Sequence, residues 1–211
     1  FRTETITSVS LPDLNCTVQG RGLCTAAPVP FSALAFQAPT DGQTHLLCLH
    51  GDVGGTSLRH GPISTDDLAA SHVTYAALGH IHQASGLQRS GGTVWAYPGC
   101  PEGRGFDETG DKGGLIGSVE PGRGALNFVP TALRRYHVIS VDLSGRISHE
   151  DAVLHALPEH SEQDICRLVL TGESDPPDLA ALTVLCAPLC YSVALQDHTT
   201  VRRDLFDRVD E

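Results

Sequence analysis

Two short apolar runs, residues 44–49 (THLLCL) and 73–78 (VTYAAL), each stop at a glycine-histidine pair, His50-Gly51 and Gly79-His80. That punctuation constrains the fold more than any other feature of the chain. Residues 51–61 (GDVGGTSLRHG) have loop composition, and Ser64 or Thr65 then caps a short helix with Asp66 and Asp67 in its first turn. Strand, loop, helix, strand is the order of a parallel pair joined by a crossover. Parallel neighbours deliver the residues at their carboxyl ends to one edge of the sheet, where α/β folds place their sites. His50 and His80 are therefore expected side by side.

The rest of the chain reads as two textures. A strand at 93–97 leads into a glycine-rich stretch, 98–114, and then into two short strands, 115–119 and 125–129, joined by a turn at 121–124. From Tyr136 strands and helices alternate: a strand at 137–143, a helix opened by Ser148 with Asp151 three residues on, a strand at 165–171, a helix from Asp175-Pro176 to about Leu185, and a strand at 191–195. This is a small β-α-β-α-β unit. The expected division is residues 1–130 and residues 131–211, both of the α/β class. With 40% hydrophobic and 18% charged residues, wholesale disorder is excluded.

Charge narrows the partners. Fourteen basic residues, of which one is lysine, face 25 acidic ones, a net charge of -11. A surface that grips nucleic acid by charge alone is excluded. Seven cysteines, odd in number and without a CxxC pair, read as reduced thiols of a cytoplasmic protein, Cys48 and Cys166 lying inside apolar strands. No apolar run reaches the ~20 residues of a membrane span, and nothing at Phe1 resembles a signal peptide.

Chemistry concentrates in Gly79-His80-Ile81-His82. Two histidines at i and i+2 emerge together only from extended or loop backbone, and Gly79 lets the chain turn where the strand ends. Imidazole suits manganese, iron and zinc ions. His50 repeats the strand-His-Gly signature one unit earlier, so three histidines make half of a metal centre. A two-metal site also needs bridging carboxylates. Asp52 reads as a loop group behind the ligands rather than as that bridge.

The order LLCLHGDV (46–53), YAALGHIHQ (75–83) and AYPGCPEGRGFDETGDKGG (96–114) resembles the calcineurin-like metallophosphoesterases. Within them it is most similar to the double-strand-break repair nucleases, the SbcD-like exonucleases. The likeness continues through NFVPTALRRYHVISVDL (127–143), where such proteins pass from nuclease core to capping domain. It implies a fold: the C-terminal half of a metallophosphoesterase β-sandwich flanked by helices, with a small βαβαβ cap. It also implies ligands. His50 and His80 would hold one divalent ion and His82 a second, both manganese, and the pair would activate a hydroxide that hydrolyses phosphodiester bonds in DNA repair. DNA ends as substrate, a large ATPase partner subunit and a homodimeric state follow from the same resemblance; a membrane does not.

The family's first three motifs, a D-x-H, a GD with a downstream Asp and a GNH(D/E), do not occur in this sequence, and neither does any methionine. The expectation is that the remaining ligands and the catalytic residues lie upstream of Phe1, in a portion of about 150–200 residues, and that this chain alone is inactive. Two other readings stand beside the nuclease: a metallophosphoesterase for small phosphodiesters or nucleotides, and a non-catalytic substrate-positioning or docking module. His60 and His72 read as loop or helix-end groups, residues 108–112 as a charged turn, and Trp95 and Tyr97 as core. Gly103-Arg104-Gly105 reads as turn glycines with a structural arginine.

Overall fold

A computed structural model describes residues 1–22, 30–32, 36–145 and 148–201. Cys24 lies outside the described residues. The chain is of the mixed α/β class and divides into two compact units: residues 1–101 with 112–131, and residues 102–111 with 132–211.

The first unit is built on a six-stranded sheet of order β1-β2-β3-β6-β8-β7. Its members in chain order are β1 (Thr7–Leu11), β2 (Cys16–Gly20), β3 (Thr44–His50), the two-residue β4 (Asp52–Val53) and β5 (Pro62–Ile63), which pair with each other, helix α1 (Thr65–Ala70), β6 (Tyr75–Gly79), β7 (Gln88–Ser90) and β8 (Thr93–Ala96). The central neighbours β2, β3, β6 and β8 run parallel; β1 and β7 close the two edges antiparallel. Burial alternates along β3, with Leu47 and Leu49 inward, and the parallel register sets them against Ala76 and Leu78 of β6. Ile63, Leu68 of α1, Val73, Phe31 and Tyr97 complete that core. Each fully buried leucine or isoleucine contributes about 1.5–3 kcal/mol relative to exposure.

Ser64 is the helix cap, its hydroxyl accepting from the Asp67 N–H at 2.9 Å, with Asp66 and Asp67 in the first turn where the helix dipole favours negative charge. Strands β9 (Gly113–Glu120) and β10 (Arg123–Pro130) form a hairpin over the two-residue turn Pro121-Gly122, longer at both ends than the composition suggested. The Arg89 guanidinium of β7 donates to the Gly122 carbonyl and ties the hairpin tip to the sheet.

In the second unit β11 (Tyr136–Asp142), α2 (His149–Ala156), β12 (Ile165–Thr171), the two-residue β13 (Glu173–Ser174), α3 (Leu179–Cys186), β14 (Ser192–Asp197) and the two-residue β15 (Thr200–Val201) follow in order. The sheet β11-β12-β14 is parallel throughout, so the β-α-β-α-β reading of this region is the observed topology. Val153 of α2 and Leu182 of α3 share one core with Leu168 and Leu170 of β12, as crossovers of one hand require. One boundary is corrected. Helix α3 begins at Leu179, not at Asp175-Pro176, because the Asp178 carboxylate caps it by accepting from the Ala181 N–H at 3.0 Å. Segment 102–111 belongs to this unit. Its Phe106 ring lies 3.8 Å from the Arg167 guanidinium and edge-on to Tyr136 at 5.2 Å, and the Glu102 carboxylate accepts from the N–H groups of Leu133 and Arg134.

The six described cysteines are free thiols. Burial pushes Cys166 up to about 12, and the adjacent Cys190 acts in the same direction. Among the described residues no helix is long and apolar enough to cross a membrane.

Candidate metal centre

The parallel register of β3 and β6 pairs His50 with Gly79, so His50 and His80 leave the sheet at the same edge. Their rings meet edge-on, with centroids 5.2 Å apart and planes at 67°. Gly79 makes this approach open, since a Cβ there would stand 3.3 Å from His50 Nδ1. His80 itself adopts φ +113, a backbone conformation that residues with a Cβ rarely take.

Burial holds the His50 imidazole below its ordinary value, and the neighbouring His80 and His82 imidazoles push it the same way. The shift is toward the neutral form, the form in which an imidazole ligates a metal ion. The donor set fits a divalent transition ion. Metal–nitrogen bonds of about 2.0–2.1 Å place two imidazole rings on one ion with centroids roughly 5 Å apart, close to the observed separation. A ring nitrogen of His82 and the Cys100 sulfur lie within 4.8 Å of each other.

The loop after His50 is folded back rather than open. The Asp52 N–H donates to the Gly61 carbonyl at 3.1 Å, and the Gly54 N–H to the Ile63 carbonyl at 3.0 Å. Tyr97 locks it: its hydroxyl donates to the Gly51 carbonyl at 2.6 Å and accepts from the Val53 N–H at 2.9 Å. Burial pushes the Tyr97 phenol up, with the Asp52 carboxylate adding to the effect. Tyr97 is core, as expected, yet its polar tip shapes the site.

Closing the loop has a consequence that the sequence did not reveal. His60 ends a 3-10 turn, Leu58–His60, and its ring lies 4.8 Å from that of His80 at 37°. Three imidazoles thus lie in succession, His50, His80 and His60. The loop assignment of His60 holds, but its neighbour is set by the fold-back, which no local pattern encodes.

A second correction concerns the charged turn at 108–112. Lys112 is 4% exposed, and its ammonium donates to the His82 carbonyl at 3.0 Å and to Gln83 Oε1 at 3.5 Å. Arg104 stays with the structural reading, its N–H donating to Glu108 and its exposed guanidinium 3.6 Å from that carboxylate.

Comparison with known proteins bears on this geometry. No family model matches the chain. Over 98 residues it is 37% identical to a protein of Bacillus subtilis (strain 168) described as the uncharacterized metallophosphoesterase YhaO. The aligned part is 46% of this chain and spans 24% of that protein's length. In sequence the chain is similar, over just under half its length, to a metallophosphoesterase.

Proposed function

We propose that this chain carries the histidine part of a two-metal phosphodiesterase centre, with His50 and His80 holding one divalent ion and His82 a second. The observation that carries the reading is the meeting of His50 and His80 at the carboxyl edge of two parallel strands. The similarity to a metallophosphoesterase supports it. Bound divalent ions supply Lewis acidity toward phosphoryl oxygens. The residues here hold and orient: the loop locked by Tyr97 fixes the chain that follows His50, and Gly79 lets the rings approach. Imidazoles bring no negative charge, so carboxylates from outside these three positions would complete the centre.

Manganese is the proposed metal and DNA ends the proposed substrate, both on the likeness of the 75–83 and 96–114 segments to repair nucleases. A large ATPase partner and a dimer belong to the same proposal. A specific observation favours a second substrate class: the net charge of -11 disfavours long polyanions and favours small phosphodiesters or nucleotides. The deciding experiment assays the longest natural chain carrying this sequence, with Mn²⁺, on double-stranded DNA ends and on bis(p-nitrophenyl) phosphate. Release of nucleotides from DNA, lost in His80→Ala, is the expected result. Hydrolysis of the small ester alone moves the substrate to the second class. Hydrolysis of either that persists in a chelator overturns the metal reading.

A further inference from the structure

We infer that Lys112 is a positioning residue of the metal centre: its buried ammonium fixes the peptide of His82 and thereby sets the direction of the His82 ring. The inference rests on the reading of His82 as a metal ligand and goes beyond it by naming what holds that ligand.

Four observations converge. Lys112 is the one lysine of the chain, and it is 4% exposed, although an ammonium is among the groups most costly to remove from water. Its two hydrogen bonds go to consecutive residues of the histidine loop, the His82 carbonyl at 3.0 Å and the Gln83 side chain at 3.5 Å. The same carbonyl receives the Cys100 thiol at 3.6 Å, so two donors from distant segments converge on one acceptor. Gly99, at φ +86, brings the backbone so near that a Cβ there would lie 3.3 Å from the His82 oxygen.

The lysine's own backbone is anchored. The Thr131 N–H donates to the Lys112 carbonyl at 3.0 Å, and the next residue's N–H, that of Gly113, donates to the Cys100 carbonyl at 2.9 Å. A hydrogen bond from an ammonium is charge-assisted and stronger than one between neutral groups. Because His80 already occupies an uncommon backbone conformation, the loop cannot rely on regular secondary structure to aim its second histidine. Groups that orient a ligand from behind typically change metal affinity by about 10–100-fold when removed.

The test compares wild type, Lys112→Met, which removes the ammonium at similar length, and Lys112→Arg, which keeps a cation. In the metal-free chain, ring-nitrogen NMR follows His82, with the surface ring of His155 as a control for intact folding. Lys112→Met is expected to shift and split the His82 ring signals while His155 is unmoved, and Lys112→Arg to restore one set. Calorimetry with Mn²⁺ is expected to show about a tenfold loss of affinity in Lys112→Met. Unchanged His82 signals, or an unchanged Kd, in a folded Lys112→Met chain would overturn the role.

If that variant does not fold, wild type alone decides. An amine-acylating N-hydroxysuccinimide ester has a single lysine to find in the chain, and its acylation is followed at Lys112 by peptide mapping, apart from that of the terminal amine. Slow acylation, slowed further by Mn²⁺, is expected. A rate equal to that in urea and indifferent to Mn²⁺ overturns the assignment. Wild type that takes up no Mn²⁺ counts against the metal-centre reading, whereas the His82 signals of the metal-free chain judge Lys112 separately.

Discussion

Gly79 and Gly99 sit on either side of the histidine loop, and each leaves room that a methyl group would fill. At Gly79 the neighbour in the way is the ring of His50, 3.3 Å from the position of a Cβ; His50 is exposed, and its ring can yield. Gly79→Ala is therefore expected to cost about 0.5 kcal/mol or less in stability while weakening Mn²⁺ uptake, read by denaturation and calorimetry on the same preparation. At Gly99 the conformation itself, φ +86, excludes a side chain, and the neighbours are backbone. Gly99→Ala is expected to cost about 1–2 kcal/mol. At this scale the sequence is legible where the signal is local. His50, His80 and His82 announce themselves because a strand end, a glycine and a histidine are adjacent in the chain. Lys112 and His60 do not, since their partners are set by chain reversals: thirty residues separate Lys112 from His82, and composition alone places it in a charged turn.

Elements follow the same division. The strands β3 and β6 and the capped start of α1 are legible because apolar runs and a serine-acid cap are periodic or local signals. The start of α3 is not, because Asp175-Pro176 and Asp178 are both admissible openings and the hydrogen bond to Ala181 decides between them. The loop from Gly51 to Gly61 is legible as a loop but not as a folded-back one. Its closure depends on Tyr97, whose hydroxyl both donates and accepts there. Tyr97→Phe leaves the Val53 N–H and the Gly51 carbonyl without that partner. The expected cost is about 1–3 kcal/mol, with faster amide exchange confined to the 51–61 loop. Exchange unchanged at Val53 would contradict the lock.

For the molecule as a whole, acidic composition meets one buried carboxylate with a defined task. Asp164, 2% exposed, accepts from the Arg135 N–H at 3.1 Å, and one of its oxygens lies 2.9 Å from His137 Nε2 and 3.1 Å from the Arg135 guanidinium. Burial raises its pKa, but the hydrogen bonds from the Arg135 N–H, His137 and the Arg135 side chain together outweigh it, leaving the carboxyl below its ordinary value of 3.8. A carboxyl lowered by folding contributes stability that is complete above its unfolded value and is lost as pH falls through its folded one. Asp164→Asn is expected to lose about 2 kcal/mol at pH 7 and to lose less than wild type when the pH is brought below 4, as urea denaturation at the two pH values would show.

The most direct measurement of the central claim is a calorimetric titration of Mn²⁺ into the 211-residue chain, with the double substitution His80→Ala/His82→Ala as control. Saturable binding by wild type that the double variant lacks is the expected result and would establish that these imidazoles form a metal site. Binding of equal strength in both proteins, or none in either, would contradict the assignment of the histidine edge as a metal centre of this chain.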